Sequence, residues 1–194
     1  MKKLLKQKVN HLESGLPGWV IIIAGALMVL SAISAINTGG VYEKVSATVP
    51  PVIMGLVNTL GVVVIYFGYI KGMKTLQKPL TALWWIAIGL NLAGFITTCL
   101  GPDYLGYGAA VAALLPLVYL PLGILLWIWY GGNLETVGVL MIVRILIMTL
   151  VPVVFYLLGW TESFSGLFIE DILTVAAELI YVWALLRVVW YSRA

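Results

Sequence analysis

Residues 136–159 read TVGVLMIVRILIMTLVPVVFYLLG. Their length and apolarity decide the fold class. A helix needs about 20 apolar residues to cross the hydrocarbon core of a bilayer. Within this stretch stand one arginine, Arg144, and one proline, Pro152. Working outward, runs of the same kind fall near 17–36, 51–71, 80–100, 107–130 and 167–190. Turn-forming residues separate them: Asn37–Gly40, the segment from Lys71 to Pro79, Gly101–Asp103, Gly131–Asn133, and Gly159 to Gly166. No stretch alternates polar and apolar residues with period two, which argues against a β-barrel. The expected fold is therefore all-α, a polytopic bundle of six transmembrane helices.

Composition points the same way. Of 194 residues 62% are hydrophobic and 10% charged, against about 45–50% and 25% in soluble domains. A soluble fold of this size leaves roughly a third of its surface wet and could not hide so many apolar side chains. The net charge of +3 is small, and its basic residues sit at the ends of apolar runs rather than in a stripe, so nucleic acid is not an expected partner.

The basic residues predict an orientation. Lys2, Lys3, Lys6, Lys8, Lys71, Lys74, Lys78, Arg187 and Arg193 fall on one side of a six-span bundle. The other side has Lys44 with Glu43, Asp103, Glu162, Glu170 and Asp171. Lysine and arginine mark the cytoplasmic loops, so the expectation is a multi-pass cell-membrane protein with both termini cytoplasmic.

Aromatic residues gather at the expected span ends. Trp84, Trp85, Trp127, Trp129, Tyr130, Trp190 and Tyr191 lie on the inner side, and Tyr42, Tyr104, Tyr107 and Trp160 on the outer. The reading is interfacial anchoring.

Residues 1–16 form a basic cytoplasmic or interfacial segment, and 17–194 the transmembrane domain. The apolar run after MKKLLKQKVNHLESG is longer than a signal-peptide core, so an uncleaved first helix is expected. Leu5, Val9 and Leu12 have helical spacing, and the segment reads either as a short interfacial helix on anionic lipid headgroups or as a plain basic tail. A homo-oligomer, or membership of a membrane complex, is the expected assembly.

A faint internal repeat is present. Gly39-Gly40-Val41-Tyr42-Glu43-Lys44-Val45 and Gly131-Gly132-Asn133-Leu134-Glu135-Thr136-Val137 share G-G-x-x-E-x-V. The offset lays spans one to three over four to six, as in an inverted 3+3 repeat. The prolines do not follow it.

Polar side chains inside the spans carry the functional reading. A charge at mid-bilayer costs at least about 2.5–3.5 kcal/mol, so it needs a partner or a task. Arg144 lies roughly 13 Å from Glu135 at the inner end of its span, and Glu178 roughly 18 Å from Trp190, at 1.5 Å per residue. Spans five and six are joined by a short loop and should be neighbours, so an Arg144–Glu178 ion pair is expected. Asn58 and Asn91 come out at a similar depth. Tyr119 lies between Pro116 and Pro121 in span four, where freed carbonyls need a cavity or protein partners. Arg187 is placed to snorkel or to meet Glu135.

Asn58, Asn91, Tyr119, Arg144 and Glu178 therefore form the candidate substrate-binding layer. The plainer reading is interhelical hydrogen bonding that fixes register. Ser31 with Ala35, Gly68 with Gly72, and Gly106 with Ala110 read as close-packing pairs.

Enzyme chemistry has little support. The one histidine, His11, is in the tail, and the one cysteine is Cys99. No HExxH, P-loop or dinucleotide motif is present. No catalytic residue, metal site or cofactor is assigned. The leading expectation is a small transporter or channel-like protein. The alternatives are a non-catalytic accessory subunit and a lipid-modifying enzyme using Asp103 with Glu170 or Asp171.

Overall fold

The computed structural model describes residues 6–34, 51–76, 78, 80–100, 105–160 and 164–190. The chain is all-helical apart from one two-residue strand pair. Among the described residues there are six helices, α1 (Gly18–Ser34), α2 (Pro51–Met73), α3 (Thr81–Leu100), α4 (Leu105–Trp129), α5 (Asn133–Leu157) and α6 (Phe164–Trp190). Among the described residues four helical stretches are long and apolar enough to cross a membrane: Val52–Met73, Thr81–Leu100, Asn133–Leu157 and Phe168–Val189. Gly18–Ser34 and Ala113–Trp129 are apolar but shorter.

Local chemistry sets the helix ends. Pro51 opens α2, where its missing N–H would have had no partner in any case. Gly132 precedes α5 at φ 76°. Gly159 follows α5 at φ 68°, and its N–H bonds the Tyr156 carbonyl at 3.1 Å. Both turns use the left-handed backbone that glycine adopts without a steric cost. Pro116 and Pro121 lie inside α4, and Pro152 inside α5.

Each helix packs on the next in sequence, and α6 returns to α1, so the six form a closed ring. Glycine permits the tightest approaches. A Cβ on Gly61 would stand 2.6 Å from the Ala24 carbonyl oxygen, and one on Gly138 would stand 2.7 Å from that of Gly123. The first contact joins α1 to α2, the second α4 to α5. Large apolar side chains such as Trp19, Ile23, Leu117 and Leu150 point outward and are exposed. An apolar periphery of this extent is what lipid would cover.

The N-terminal segment closes one end of the ring. Residues 6–16 are not helical. Gln7–Lys8 (β1) pairs in parallel with Tyr130–Gly131 (β2) in the α4–α5 turn. Val9 N–H donates to the Gly131 carbonyl at 2.9 Å, Leu134 N–H to Val9 at 3.1 Å, and Leu12 N–H to Val188 at 3.0 Å. Val9, Leu12 and Ser14 are buried. A Cβ on Gly72 would lie 2.7 Å from that of Leu12, and one on Gly68 would meet Ser14 and Leu16 at 3.4 Å.

These contacts correct two expectations. The segment is not an interfacial helix, because its backbone bonds a turn and a helix end; Leu5 lies outside the described residues. Gly72 admits this strap rather than a neighbouring helix, while Gly68 meets both the strap and Val189 of α6, at 3.3 Å. We call this the basic end of the ring, since Lys6, Lys8, Lys71, Lys74, Lys78 and Arg187 lie on it. The opposite end is the far end.

Residues 39–45, one arm of the suggested repeat, lie outside the described residues. So does the Asn37–Gly40 break.

Candidate functional site

Arg144 on α5 and Glu178 on α6 form an ion pair through Nε and Oε2. Glu178 is 8% exposed. The two helices pack side by side, so the pair spans their contact. Partnering keeps two charges tolerable in an apolar interior, where either alone would be costly. The Nε–H is committed to Glu178. The terminal amino groups of the guanidinium retain four N–H donors.

Tyrosines surround the pair. The Arg144 guanidinium lies 5.0 Å from the Tyr181 ring centroid and 5.8 Å from that of Tyr119, within cation–π range. The phenols are linked in turn. Asn91 on α3 donates to the Tyr119 hydroxyl at 2.8 Å and to the Ala87 carbonyl at 2.7 Å. Tyr66 on α2 donates to Tyr119 at 3.2 Å, and the Tyr66 and Tyr181 hydroxyls are 3.1 Å apart. Asn91, Tyr119, Tyr66 and Tyr181 thus form one hydrogen-bonded chain across the ring, with Arg144 beside it. Helices α2 to α6 all contribute.

Beneath this layer, toward the basic end, the interior is aromatic and closed. Trp84 is fully buried and stacks edge-on to Tyr66 at 4.7 Å between ring centroids, with the Tyr69 ring, tilted, also at 4.7 Å. Its indole N–H meets Met73 Sδ at 2.9 Å. Tyr69 donates to the Leu185 carbonyl at 3.0 Å. Tyr130 is buried too and hydrogen-bonds the Lys78 carbonyl. Trp84 and Tyr130 are therefore core residues, not interfacial anchors. Trp85 and Trp127 do face outward. Trp129 lies under the Lys78 ammonium at 5.1 Å.

Above the layer, toward the far end, two cavities open. One of about 210 Å³ is lined by Asn58, Arg144, Asp171, Thr174 and Glu178, with Ser31 at its edge. The other, about 200 Å³, is lined by Asn58, Thr59, Asn91, Thr98, Gly108 and Leu115. Asn58 borders both. Helix α4, with its two prolines, contributes the wall of the second cavity through Gly108, Val111 and Leu115, over the two turns that precede Pro116.

The structure brings four of the five candidate residues together in one layer, with Asn58 lining the cavities above it. Arg144 and Glu178 touch, Asn91 and Tyr119 touch, and Asn58 stands above both pairs. Tyr66 and Tyr181 were missed. Their signal was available: both lie about two turns or more inside a span, and a buried phenol at that depth needs a hydrogen-bond partner. Of the acids proposed for lipid chemistry, Asp171 lines the first cavity, and Asp103 lies outside the described residues. The expected Arg187–Glu135 contact does not form. Glu135 pairs with Lys6, and the Arg187 guanidinium lies over the Trp183 ring at 5.3 Å. Among the described residues no group of three or more histidine, cysteine or acidic side chains is arranged to hold a metal.

Comparison with known proteins finds no match among protein families, curated sequences or solved structures.

Proposed function

We propose that this chain crosses the membrane six times and conducts a small polar solute or ion through the Arg144–Glu178 layer. One observation supports this above the others. Two cavities run from the far end down to the polar layer and stop there, bordered by Asn58, Arg144, Glu178 and Asn91. A layer whose only task was to bind helices together would be served best by dry, complete packing. Here Arg144, Glu178 and Asn58 border open space.

The arrangement suits alternating or gated access. The far half is open to the site, and the basic half is closed by Tyr66, Tyr69, Trp84 and the N-terminal strap. Two opposite charges already paired with one another favour binding a polar or charged solute over carrying a proton. The basic end faces the cytoplasm in this reading, by the distribution of lysine and arginine.

The test is flux in proteoliposomes, read as potassium chloride conductance and as osmotic swelling in glycerol and glycine. Glu178→Gln is expected to abolish whichever flux the wild type shows, and the Arg144→Gln, Glu178→Gln double variant, which leaves neither charge unpaired, to keep thermal stability near normal with flux still abolished. Flux that returns in the double variant together with stability would instead support a purely structural pair in an accessory subunit. Access is tested separately in a Cys99→Ala background. Thr174→Cys should react with a membrane-impermeant thiol reagent from outside, and Thr75→Cys only from inside.

A further inference from the structure

A second polar site lies at the basic end, independent of any path through the midplane layer. Where the N-terminal strap passes the end of α6, a cavity of about 490 Å³ is lined by Lys8, Asn10, His11, Asn133 and Arg187. Two fixed cations, two amides and an imidazole line it, with no carboxylate among the described residues that do so.

The neighbouring charges are already matched, which singles these out. Lys6 stands just before β1, and Lys8 is its second residue. Lys6 is taken by Glu135. Lys8 and Arg187 have no acidic partner among the described residues. The Asn133 side-chain amide donates to the Asn10 carbonyl at 3.0 Å, which fixes the strap against the start of α5. The cavity is thus held by backbone and side-chain bonds from three elements rather than by loose lysines.

Arg187 also sets the height of the site. It stacks on Trp183, one turn deeper on α6, and Trp183 is 55% exposed on the apolar periphery. A guanidinium over an outward-facing indole sits at the level of the headgroups.

We propose that this cavity binds a phosphate-bearing anion, with a lipid headgroup phosphate bridging Lys8 and Arg187. Guanidinium and ammonium groups are the usual partners of phosphate oxygens. An acyl chain could then lie along the Trp183 face. Bound there, the anion would hold the strap to α6 and reinforce closure of the basic end.

The experiment uses the full chain, purified in detergent and stripped of lipid. Native mass spectrometry and thermal unfolding are read with phosphatidylglycerol, phosphatidylcholine or inorganic phosphate added. One retained phosphatidylglycerol per chain and a raised Tm are expected, with phosphatidylcholine retained less. Lys8→Gln and Arg187→Gln should each weaken binding about fivefold, the scale of one basic residue against an anionic headgroup. Arg187→Lys should keep most of it, and Lys74→Gln, an exposed lysine outside the cavity, should change nothing. If inorganic phosphate raises Tm as far as the lipid does, with the same variant dependence, the site stands and its ligand is a soluble phosphate. Binding of neither anion, or binding unaffected by Lys8→Gln and Arg187→Gln when both variants keep the lipid-free Tm of wild type, overturns the proposal.

Discussion

On the basic side of the Arg144 layer, α3 buries Trp84, Ala87 and Ile88; on the far side, none of its residues after Ile88 is buried. Helix α4 repeats the contrast in reverse. It buries Tyr119, Leu122 and Leu126, and before Tyr119 none of its described side chains is buried. The residue types do not differ enough to explain this. Both halves are rich in leucine, isoleucine and valine. The difference lies in size and contact. The basic half has interlocked rings from Tyr66, Tyr69 and Trp84, the close Gly123–Gly138 crossing, and a strap laid across its mouth. The far half has Gly55, Gly94 and Gly108 around a cavity, where a Cβ would find no contact closer than 3.1 Å. In lipid, apolar side chains gain little by leaving the solvent, so packing quality decides where helices hold together.

That contrast can be broken from the closed half, with the largest effect at its centre. Trp84→Ala should cost about 2–4 kcal/mol, near the low end for a buried aromatic because lipid removes much of the transfer contribution. Equilibrium unfolding in mixed micelles would measure it, and a loss below about 1 kcal/mol would show that the aromatic cluster is not what closes this half.

Gly138→Val comes next. Its Cβ would meet the Gly123 carbonyl at 2.7 Å and the Trp127 backbone nitrogen at 2.8 Å, both backbone atoms that cannot rotate away. A destabilisation of about 1–3 kcal/mol is expected, typical of overpacking, and the α4–α5 spacing should widen in pulsed electron–electron distance measurements. Tyr66→Phe tests the layer itself. It removes the hydroxyl that joins Tyr119 to Tyr181 and should cost about 1–2 kcal/mol, with conductance or solute flux altered more than stability.

The smallest effect belongs to the open half. Asn58→Ala should change stability by no more than about 0.5 kcal/mol while reducing flux strongly. If Asn58→Ala destabilised as much as Tyr66→Phe, the far half would be held by the same polar bonding as the layer beneath it, and the comparison would fail.

Some of this was legible in the residues. Arg144 and Glu178 stand out because a charge in an apolar run is expensive wherever the helix turns, and their helices adjoin through a short turn. Asn58 and Asn91 stand out for the same reason at lower cost. Tyr66, Tyr181 and Trp84 do not, since an aromatic residue within a few turns of a span end fits the interface as readily as the core. What separates the two is rotation about the helix axis, and helices this uniformly apolar carry almost no periodicity to reveal it. The strap was hidden for another reason. Its bonds join Val9 to Gly131 and Leu134, and Leu12 to Val188, across separations at which a short polar segment leaves no pattern.

The sequence by itself determined that the chain is helical and apolar, where its helices begin and end within a few residues, and which charges lie among them. Those properties are local: run length, turn chemistry and the cost of a buried charge. Only the tertiary structure decided that α6 closes the ring on α1, that four polar side chains join across it, and that one half is sealed while the other stays open. Those properties depend on which face each helix turns inward, and that is set by packing among all six.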